Sequence, residues 1–306
     1  MPCSTSNLGA GFDCIGLALD RYLEATYEPD DGPLTVERSG TLDGLAVGAG
    51  NDALVAALAE RLAWRNVIAG GRLRVHSAIP VGRGLGSSAA ARVAGFALGA
   101  VALGEKFDPI EAWVHATSAE GHPDNAAPCV LGGLVAVVPI PPRERSFGMR
   151  LLPLPLSPAI GWSYAAPAAE MPTERARAAL PPHLERAVAV DALRRMPALL
   201  RGLETADADL LATGFADSLH VPFRLPLIAG GERALHAAIE AGAWAATISG
   251  SGSGLIAAGP RRGGAAIAAA MAAAFREGLG GAPGSDDGVV AFEVSPDLEG
   301  AQILPA

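Results

Sequence analysis

A glycine-rich segment at residues 80–90 has the composition of an anion-binding loop. It reads PVGRGLGSSAA and leads into a run of helix-forming residues. Backbone N–H groups at the start of a helix can converge on an anion, and glycines let it approach without side-chain clashes. A serine hydroxyl there can also bind a phosphate-bound Mg²⁺. The segment predicts a nucleotide site, although a tight strand-to-helix turn that needs glycine for its dihedral angles is the plainer alternative.

Two other segments have a similar composition. Residues 4–13 read STSNLGAGFD and place an amide at Asn7 and a carboxylate at Asp13 in what we expect to be a loop, although a surface turn could look the same. Residues 249–254 read SGSGSG between the apolar runs AATI and LIAA. Because those flanks favour burial, a backbone nest that faces a ligand fits better than a flexible linker.

The elements around the glycine-rich segment are a strand and a helix. Residues 73–79 alternate apolar and polar side chains, as a strand does, and Pro80 ends the run. The helical pattern AAARVAGFALGAVAL follows Ser87 and Ser88, and a serine is a good N-cap. The segment lacks the lysine of a Walker loop and does not match GxGxxG.

Mixed α and β structure is predicted along the whole chain. Asp108 and Pro109 open a helix that runs to about Ala119 and ends at Glu120-Gly121. In the second half, helical patterns at 185–203, 208–218, 232–241 and 264–278 alternate with strand-like runs at 245–248, 255–258 and 289–294.

A proline-rich stretch divides the chain. PIPPRERSF at residues 139–147 is followed by five prolines between residues 153 and 172, which is typical of loops and edge strands. We therefore predict two domains, residues 1–150 and residues 151–306.

The composition excludes several classes of function. The net charge of −9 with 50% hydrophobic residues indicates a globular protein and argues against nucleic acid or an anionic membrane as partner. No stretch is long and apolar enough to span a membrane, and the N-terminus lacks a signal-peptide pattern, so we expect a cytoplasmic protein. The three cysteines lack CxxC spacing and indicate neither a disulfide framework nor a zinc site.

Taken in order, PCSTSNLGAGFD, PVGRGLGSSAA and SGSGSG resemble the three motifs of the GHMP small-molecule kinases. The resemblance implies an α+β, two-domain GHMP kinase fold. A ribosomal protein S5 domain 2-like N-terminal domain, residues 1–150, would bind ATP. It would be joined to a ferredoxin-like C-terminal domain, residues 151–306, with ATP and substrate in the cleft between the two domains.

Within that superfamily the chain looks most like the homoserine kinases. Residues 119–128 read AEGHPDNAAP and resemble their EGHPDNVAP segment, residues 172–177 read PTERAR, and residues 221–224 read VPFR where relatives have PYR. The resemblance implies ATP-dependent phosphorylation of the L-homoserine hydroxyl to O-phospho-L-homoserine in threonine biosynthesis. It also leads us to expect a homodimer.

The resemblance assigns roles to individual residues. Mg²⁺ would be held by Ser88 and Glu120, which with Asp13 form the predicted catalytic group. The predicted L-homoserine contacts are Asn7, Asp13, His122, Asn125, Arg177 and Arg224. The predicted ATP contacts are Asn51, Pro80, Val81, Gly82, Arg83, Gly84, Leu85, Gly86, Ser87, Ser88, Ala89, Ala90, Gly250, Ser251 and Gly252.

Chemistry supports part of this assignment. Planar guanidinium groups such as those of Arg177 and Arg224 suit a free carboxylate, and the carboxylate of Asp13 suits an ammonium group. For each arginine the alternative is a solvated charge on a helix face. His122 could equally be a hydrogen-bonded core histidine, and Asn51 could be a plain N-cap rather than an adenine contact. Homoserine kinases lack the aspartate–lysine pair of some relatives, so no general base is assigned.

Three departures from the family pattern are visible. The chain begins almost at the first motif, so either its start is truncated or its first strand is short. Pro172-Thr173 replaces a Ser-Thr pair, and SGSGSG replaces SGSGP. Two other functions stay open: another GHMP kinase acting on mevalonate, a sugar or shikimate, or a non-catalytic nucleotide-binding regulator.

Overall fold

The computed structural model describes residues 1–45, 52–141, 147–278 and 288–304. The strands are β1 (Pro2–Ser6), β2 (Ile15–Pro33), β3 (Thr35–Gly40), β4 (Gly70–Ser77), β5 (Leu134–Pro139), β6 (Met149–Leu154), β7 (Ile160–Ala166), β8 (Ala245–Ile248), β9 (Leu255–Pro260) and β10 (Val290–Val294). The helices are α1 (Ala53–Ala63), α2 (Ser87–Ala102), α3 (Pro109–Glu120), α4 (Ala126–Leu131), α5 (Thr173–Ala178), α6 (Arg186–Thr205), α7 (Ala208–Phe215), α8 (Val221–Arg224), α9 (Gly231–Glu240) and α10 (Gly264–Gly278), with 3₁₀ turns at Gly9–Gly11 and Leu225–Leu227.

The first sheet is built on the long strand β2. Its order is β3-β4-β2-β5-β6, with β1 also paired to β2. The β3–β4 pair is parallel and the other pairs are antiparallel. Along β4, buried and exposed side chains alternate, as the sequence predicts, because one face of the sheet lies on the core. Helices α2 and α4 pack against β2.

The second sheet has four antiparallel strands in the order β10-β7-β9-β8. Two crossovers contain helices: α5 to α9 connect β7 to β8, and α10 connects β9 to β10. This is the split βαββαβ arrangement of ferredoxin-like domains. It confirms the predicted mixed, two-part fold.

The chain passes from the first sheet to the second between Leu154 and Ile160. The buried core is continuous across that change, since one cluster contains Leu17 of the first sheet together with Trp162 of the second. The division into residues 1–150 and 151–306 stays a prediction. Within the proline-rich stretch, residues 142–146 lie outside the described residues, and β6, which contains Pro153, is an edge strand as expected.

The helices and strands that the sequence predicted are present, and their bounds differ mainly at the ends, whereas strand β7 was not predicted. Helix α2 begins at Ser87, and its N-cap is Gly86 in the left-handed region, so neither predicted serine serves as the cap. Asp52 caps α1 by accepting from two backbone N–H groups. Asn51, predicted as a cap or an adenine contact, lies outside the described residues.

The structure also describes the first motif and the cysteines. The first motif is only partly a loop, because Pro2–Ser6 is a buried strand that pairs with β2. All three cysteines are free thiols. Within the described ranges no cluster of three or more His, Cys, Asp or Glu could ligate a metal, and no helix is long and apolar enough to cross a membrane.

Candidate active site

The three glycine- and serine-rich segments lie against one another. The backbone N–H of Ser4, in the first segment, donates to the carbonyl oxygen of Leu85 in the second at 3.1 Å. The Ser249 hydroxyl of the third donates to the Gly84 carbonyl at 2.6 Å. That same hydroxyl lies 2.9 Å from the Thr5 hydroxyl. Hydrogen bonds therefore join all three segments at one place.

The glycines of the second segment serve its backbone conformation and its packing. Gly82, Gly84 and Gly86 have φ values of +66°, +77° and +62°, which side chains disfavour. A Cβ at Gly84 would collide with the Ser249 carbonyl oxygen, and one at Gly86 with the Ser4 hydroxyl. The segment therefore needs glycine for its backbone dihedral angles. At Gly84 and Gly86 the position that a side chain would take is occupied by atoms of the other two segments.

The start of α2 has the features of an anion site. Its N-cap, Gly86, offers no side chain to the first backbone N–H groups of the helix. Those groups and the positive end of the helix dipole suit phosphate oxygens. Ser87 and Ser88 occupy the first turn.

The predicted metal ligands are adjacent. The Ser88 hydroxyl donates to Glu120 Oε1 at 2.6 Å, across the α2–α3 contact. Arg92 Nε donates to the same oxygen at 2.9 Å. One hydroxyl and one carboxylate are oxygen donors of the kind Mg²⁺ takes when substrate phosphates complete its coordination, so the residues fit the ion.

Asn7 joins the first segment to the third. Its side-chain amide donates to the Gly250 carbonyl at 2.8 Å and accepts from the Asp13 backbone N–H at 2.9 Å. Its φ of +60° places it in the left-handed region, which asparagine tolerates better than most residues. The carbonyl of Asn7 lies 3.2 Å from His220 Nε2. The predicted substrate contact is thus also a structural link.

Asn125, another predicted substrate contact, is held by two serines of β1. Its Oδ1 accepts from the Ser4 hydroxyl at 3.1 Å, and its Nδ2 donates to the Ser6 hydroxyl at 3.0 Å. Both ends of the amide are engaged within the protein. Asn125 therefore fixes the first segment beside α4.

Arg177 and Asp13 form an ion pair. The guanidinium donates to both carboxylate oxygens at 2.8 and 3.1 Å, and each side chain is about one third exposed. Burial alone would lower the pKa of Arg177, but the hydrogen bonds and charge of Asp13 outweigh it and raise the pKa. The two groups predicted for opposite ends of the amino acid are thus bound to each other.

Arg224 is buried, with 2% of its surface exposed, and is not the solvated charge that was the alternative. It donates to the carbonyl oxygens of Ala176 and Gly250 at 3.1 and 3.4 Å, and its guanidinium carbon lies 5.2 Å from the centre of the Phe12 ring. Burial, and next the charge of Arg177, lower its pKa. Among the described residues no carboxylate forms an ion pair with it, although the charges of Asp13, Asp124 and Asp217 act on it from farther away. A carboxylate ligand would therefore be its direct ionic partner.

Most of these side chains line one cavity of about 20 Å³. Its walls are Asn7, His122, Asp124, Asn125, Thr173, Arg177, Arg224 and Ser251. These include every predicted substrate residue except Asp13, which is bonded to Arg177. The space holds about one water molecule, so an amino acid enters only when side chains move. A larger depression of about 750 Å³ beside α9 is lined by none of the predicted site residues.

His122 is both a buried histidine and part of the cavity wall, so the two alternatives are not exclusive. Its Nδ1 lies 3.0 Å from Asp124 Oδ1, and both residues are buried. Burial alone would lower the pKa of His122, but the hydrogen bond and charge of Asp124 outweigh it and raise the pKa. Burial would raise the pKa of Asp124, and the hydrogen bond and charge of His122 instead hold it below its usual value.

Two predicted nucleotide contacts have other partners. The Arg83 side chain donates to the carbonyl oxygens of Gly288 and Ala168 at 3.0 and 3.2 Å and so anchors the loop from outside. Ser251 lies on the wall of the cavity of about 20 Å³, with its hydroxyl 3.5 Å from that of Thr173.

Sequence reasoning did not select Arg92, Asp124 or His220. Asp124 lies inside the EGHPDN segment, so its position was visible, but its pairing with His122 was not. Arg92 is the only charged residue in the α2 sequence, which is a signal that could have been used. His220 stacks on Phe12 with ring centres 5.0 Å apart, a contact between residues far apart in the chain.

Comparisons with known proteins identify the relatives of this chain. The family model described as GHMP kinases N terminal domain matches residues 51–133. A homoserine kinase from Moorella thermoacetica is 40% identical over 84% of this chain and 85% of its own length. One from Prochlorococcus marinus (strain MIT 9303) is 36% identical over 90% and 87%.

A solved structure supports the same relationship. The crystal structure of homoserine kinase from Cytophaga hutchinsonii superposes with a TM-score of 0.78 at 26% identity, and the match covers 98% of this chain and 94% of that one. Sequence and fold agree over nearly the whole length. The chain therefore belongs to the homoserine kinase family of the GHMP kinases.

Proposed function

We propose that this chain transfers the γ-phosphoryl group of ATP to the hydroxyl of L-homoserine, giving ADP and O-phospho-L-homoserine for threonine biosynthesis. It is an ATP-dependent small-molecule kinase by its family. The observation that carries the choice of acceptor is the small polar cavity of about 20 Å³, in whose wall Arg224 is buried without an ion-pair partner among the described residues.

The charges around that cavity favour an amino acid. The carboxylate of the substrate would bind Arg224 and Arg177, and its ammonium group would bind Asp13. Mevalonate has a carboxylate but no ammonium group, and a neutral sugar has neither. If mevalonate or a neutral sugar broke the Asp13–Arg177 ion pair, at least one of these two residues would be left without an ionic partner.

Phosphoryl transfer needs positioning and charge neutralisation more than covalent catalysis by the protein. Backbone N–H groups between Gly84 and Ser88 would hold the phosphates at the positive end of α2. The homoserine oxygen forms a bond to the γ-phosphorus as the bond to the β–γ bridging oxygen breaks. The hydroxyl proton is released to solvent, and no residue is assigned as general base.

Mg²⁺ would be held by Ser88 and Glu120, and when bound it offsets the negative charge of the β- and γ-phosphate oxygens. Asn7 and Asn125 keep the first segment in place through their own hydrogen bonds. The cytoplasmic location and the homodimer stay predictions.

The test is direct identification of the product. The protein is incubated with ATP, Mg²⁺ and L-homoserine, and ³¹P NMR looks for a phosphate monoester on the side-chain oxygen. That ester, formed in step with ADP, is the expected result. ATP hydrolysis without the ester would contradict the proposal, and ATP binding without turnover would favour a regulatory protein.

A further inference from the structure

Arg92 lies beside the predicted metal ligands, one helical turn after Ser88 on the same face of α2. It is the only charged residue of that helix, whose other side chains are small, hydroxylic or apolar. Arg92 is the sixth residue of α2, beyond the first turn, where the helix dipole no longer acts strongly on a charge. Its contact with Glu120 of α3 is therefore the interaction that needs an explanation.

The contact between Arg92 and Glu120 is one-sided. Arg92 Nε donates to Oε1 at 2.9 Å, and the Ser88 hydroxyl donates to that same atom at 2.6 Å. Oε2 lies 3.9 Å from His122 Nε2, beyond hydrogen-bond distance. One carboxylate oxygen thus accepts two hydrogen bonds, whereas the other accepts none from the described side chains and lies only within ion-pair range of His122.

The pair is also shielded from water. The Arg92 and Glu120 side chains are 20% and 14% exposed, so solvent and salt screen their attraction less than on an open surface. Glu120 ends α3, and Gly121 follows in the left-handed region, so the backbone leaves the helix just where the carboxylate is held. With its backbone at a helix end, Glu120 depends on side-chain partners for its orientation.

We propose that Arg92 is a positioning residue that holds Glu120 by Oε1 and so presents Oε2 to the Mg²⁺ of the ATP complex. The inference rests on the proposed function, because it assumes that Glu120 is a metal ligand. Without Arg92, the Glu120 carboxylate can turn toward His122. The Glu120 carboxylate would then have to turn back before it could bind the metal.

The sign of the change in Mg²⁺ affinity on removal of Arg92 distinguishes a positioning role from a purely electrostatic one. If Arg92 acted only as a nearby positive charge, its removal would strengthen the binding of a cation. If it positions Glu120, its removal weakens Mg²⁺ binding. Loss of a residue that orients a metal ligand typically costs roughly 10- to 100-fold in metal affinity or activity.

The experiment compares Arg92→Met, Arg92→Lys and the wild-type chain. Isothermal calorimetry measures the affinity for ATP with and without Mg²⁺, which needs no turnover, and kinetics give the free Mg²⁺ for half-maximal rate. Arg195→Met is the matched control, since Arg195 Nε also donates to a single carboxylate oxygen, that of Asp191, at 2.6 Å on α6.

In Arg92→Met we expect the Mg²⁺-dependent gain in ATP affinity to fall by about tenfold and the half-saturating Mg²⁺ to rise by about as much. Metal-free ATP affinity should not fall, and Arg92→Lys should be intermediate. If the Mg²⁺-dependent gain in ATP affinity is unchanged or larger in Arg92→Met, the proposal is wrong.

If Arg92→Met does not fold, Arg92→Gln is measured in the same way, and its result decides the role of Arg92. Because binding is measured apart from turnover, a wild-type chain inactive on L-homoserine would defeat the proposed function without deciding the role of Arg92.

Discussion

Arg177 donates two hydrogen bonds to Asp13, so that the groups expected to bind the two ends of an amino acid neutralise each other. A zwitterion can replace this pair with two new ones, because it supplies a carboxylate to the arginine and an ammonium group to the aspartate. A ligand with one charge leaves one of the two residues without a partner. Under the proposed function, binding of the substrate would therefore exchange one ion pair for two.

This exchange predicts selectivity that depends on Asp13. The wild-type enzyme should prefer L-homoserine over 4-hydroxybutanoate, which lacks the ammonium group, by roughly tenfold or more in kcat/KM, since one charge-assisted hydrogen bond contributes about 1.5–3 kcal/mol. Asp13→Asn should reduce that preference. Asp191→Asn, which removes the partner of Arg195 on α6, is the control. An unchanged ratio in Asp13→Asn would remove Asp13 from ammonium recognition.

Replacement of Arg224 by Ala should raise the KM for L-homoserine roughly 10- to 100-fold, because a buried guanidinium that would bind the substrate carboxylate is lost. The affinity for ATP should be unaffected. Arg201→Ala removes an exposed arginine that pairs with Glu204 and controls for the loss of a charge. Steady-state kinetics with each substrate varied measure the effect, and an unchanged homoserine KM would rule out this role.

Gly84→Ala should destabilise the protein and weaken ATP binding together. The new methyl group would collide with the Ser249 carbonyl oxygen, and φ is +77°. Gly104→Ala is the matched control, because Gly104 has a φ of +70° but a Cβ added there would meet no described atom within 4 Å. In the control, the free energy of unfolding measured with denaturant should fall only by the cost of placing alanine in the left-handed region, about 1–2 kcal/mol. Equal losses in the two variants would show that loop contact is unimportant.

His220 predicts a loss of stability in mild acid. Burial lowers its pKa to about 4, from an ordinary value of 6.5. Between those values the unfolded chain binds a proton that the folded chain does not, so the free energy of unfolding should fall with decreasing pH by up to about 1.4 kcal/mol per unit. His122 has a raised pKa, so its contribution to the free energy of unfolding changes with pH only above 6.5. Asp124 has a lowered pKa, so its contribution changes only below 3.8.

Urea unfolding between pH 4 and 6.5 measures this slope. His220→Asn should flatten it, and the same substitution at the exposed His236 should leave it as in the wild type. A slope that persists in His220→Asn would assign the acid sensitivity to other groups.

Local patterns predicted the fold well where they are strong. The helix 264–278 and the strand 245–248 have the observed bounds, and Asp108, Pro109 and Gly121 mark the ends of α3 as their chemistry requires. Strand β7 was missed, because its residues IGWSYAA are all buried and do not alternate. The start of α2 was misjudged because Gly86, rather than a serine, occupies the cap.

The site was predicted as a set of residues but not as a set of partners. Sequence placed Ser88 with Glu120, and these do meet. It did not show that Asp13 binds Arg177 or that Arg92 shares Glu120, because the family resemblance assigns residues to ligands and does not give contacts between side chains of distant segments. Only the tertiary fold sets these distances.

The measurement that tests the central claim most directly is Mg²⁺-dependent ADP release with ATP and a panel of acceptors. The panel contains L-homoserine, L-serine, L-threonine, mevalonate, galactose and shikimate. The account predicts the highest kcat/KM for L-homoserine. Preferential turnover of mevalonate, galactose or shikimate, or ATP binding without turnover of any acceptor, would contradict it.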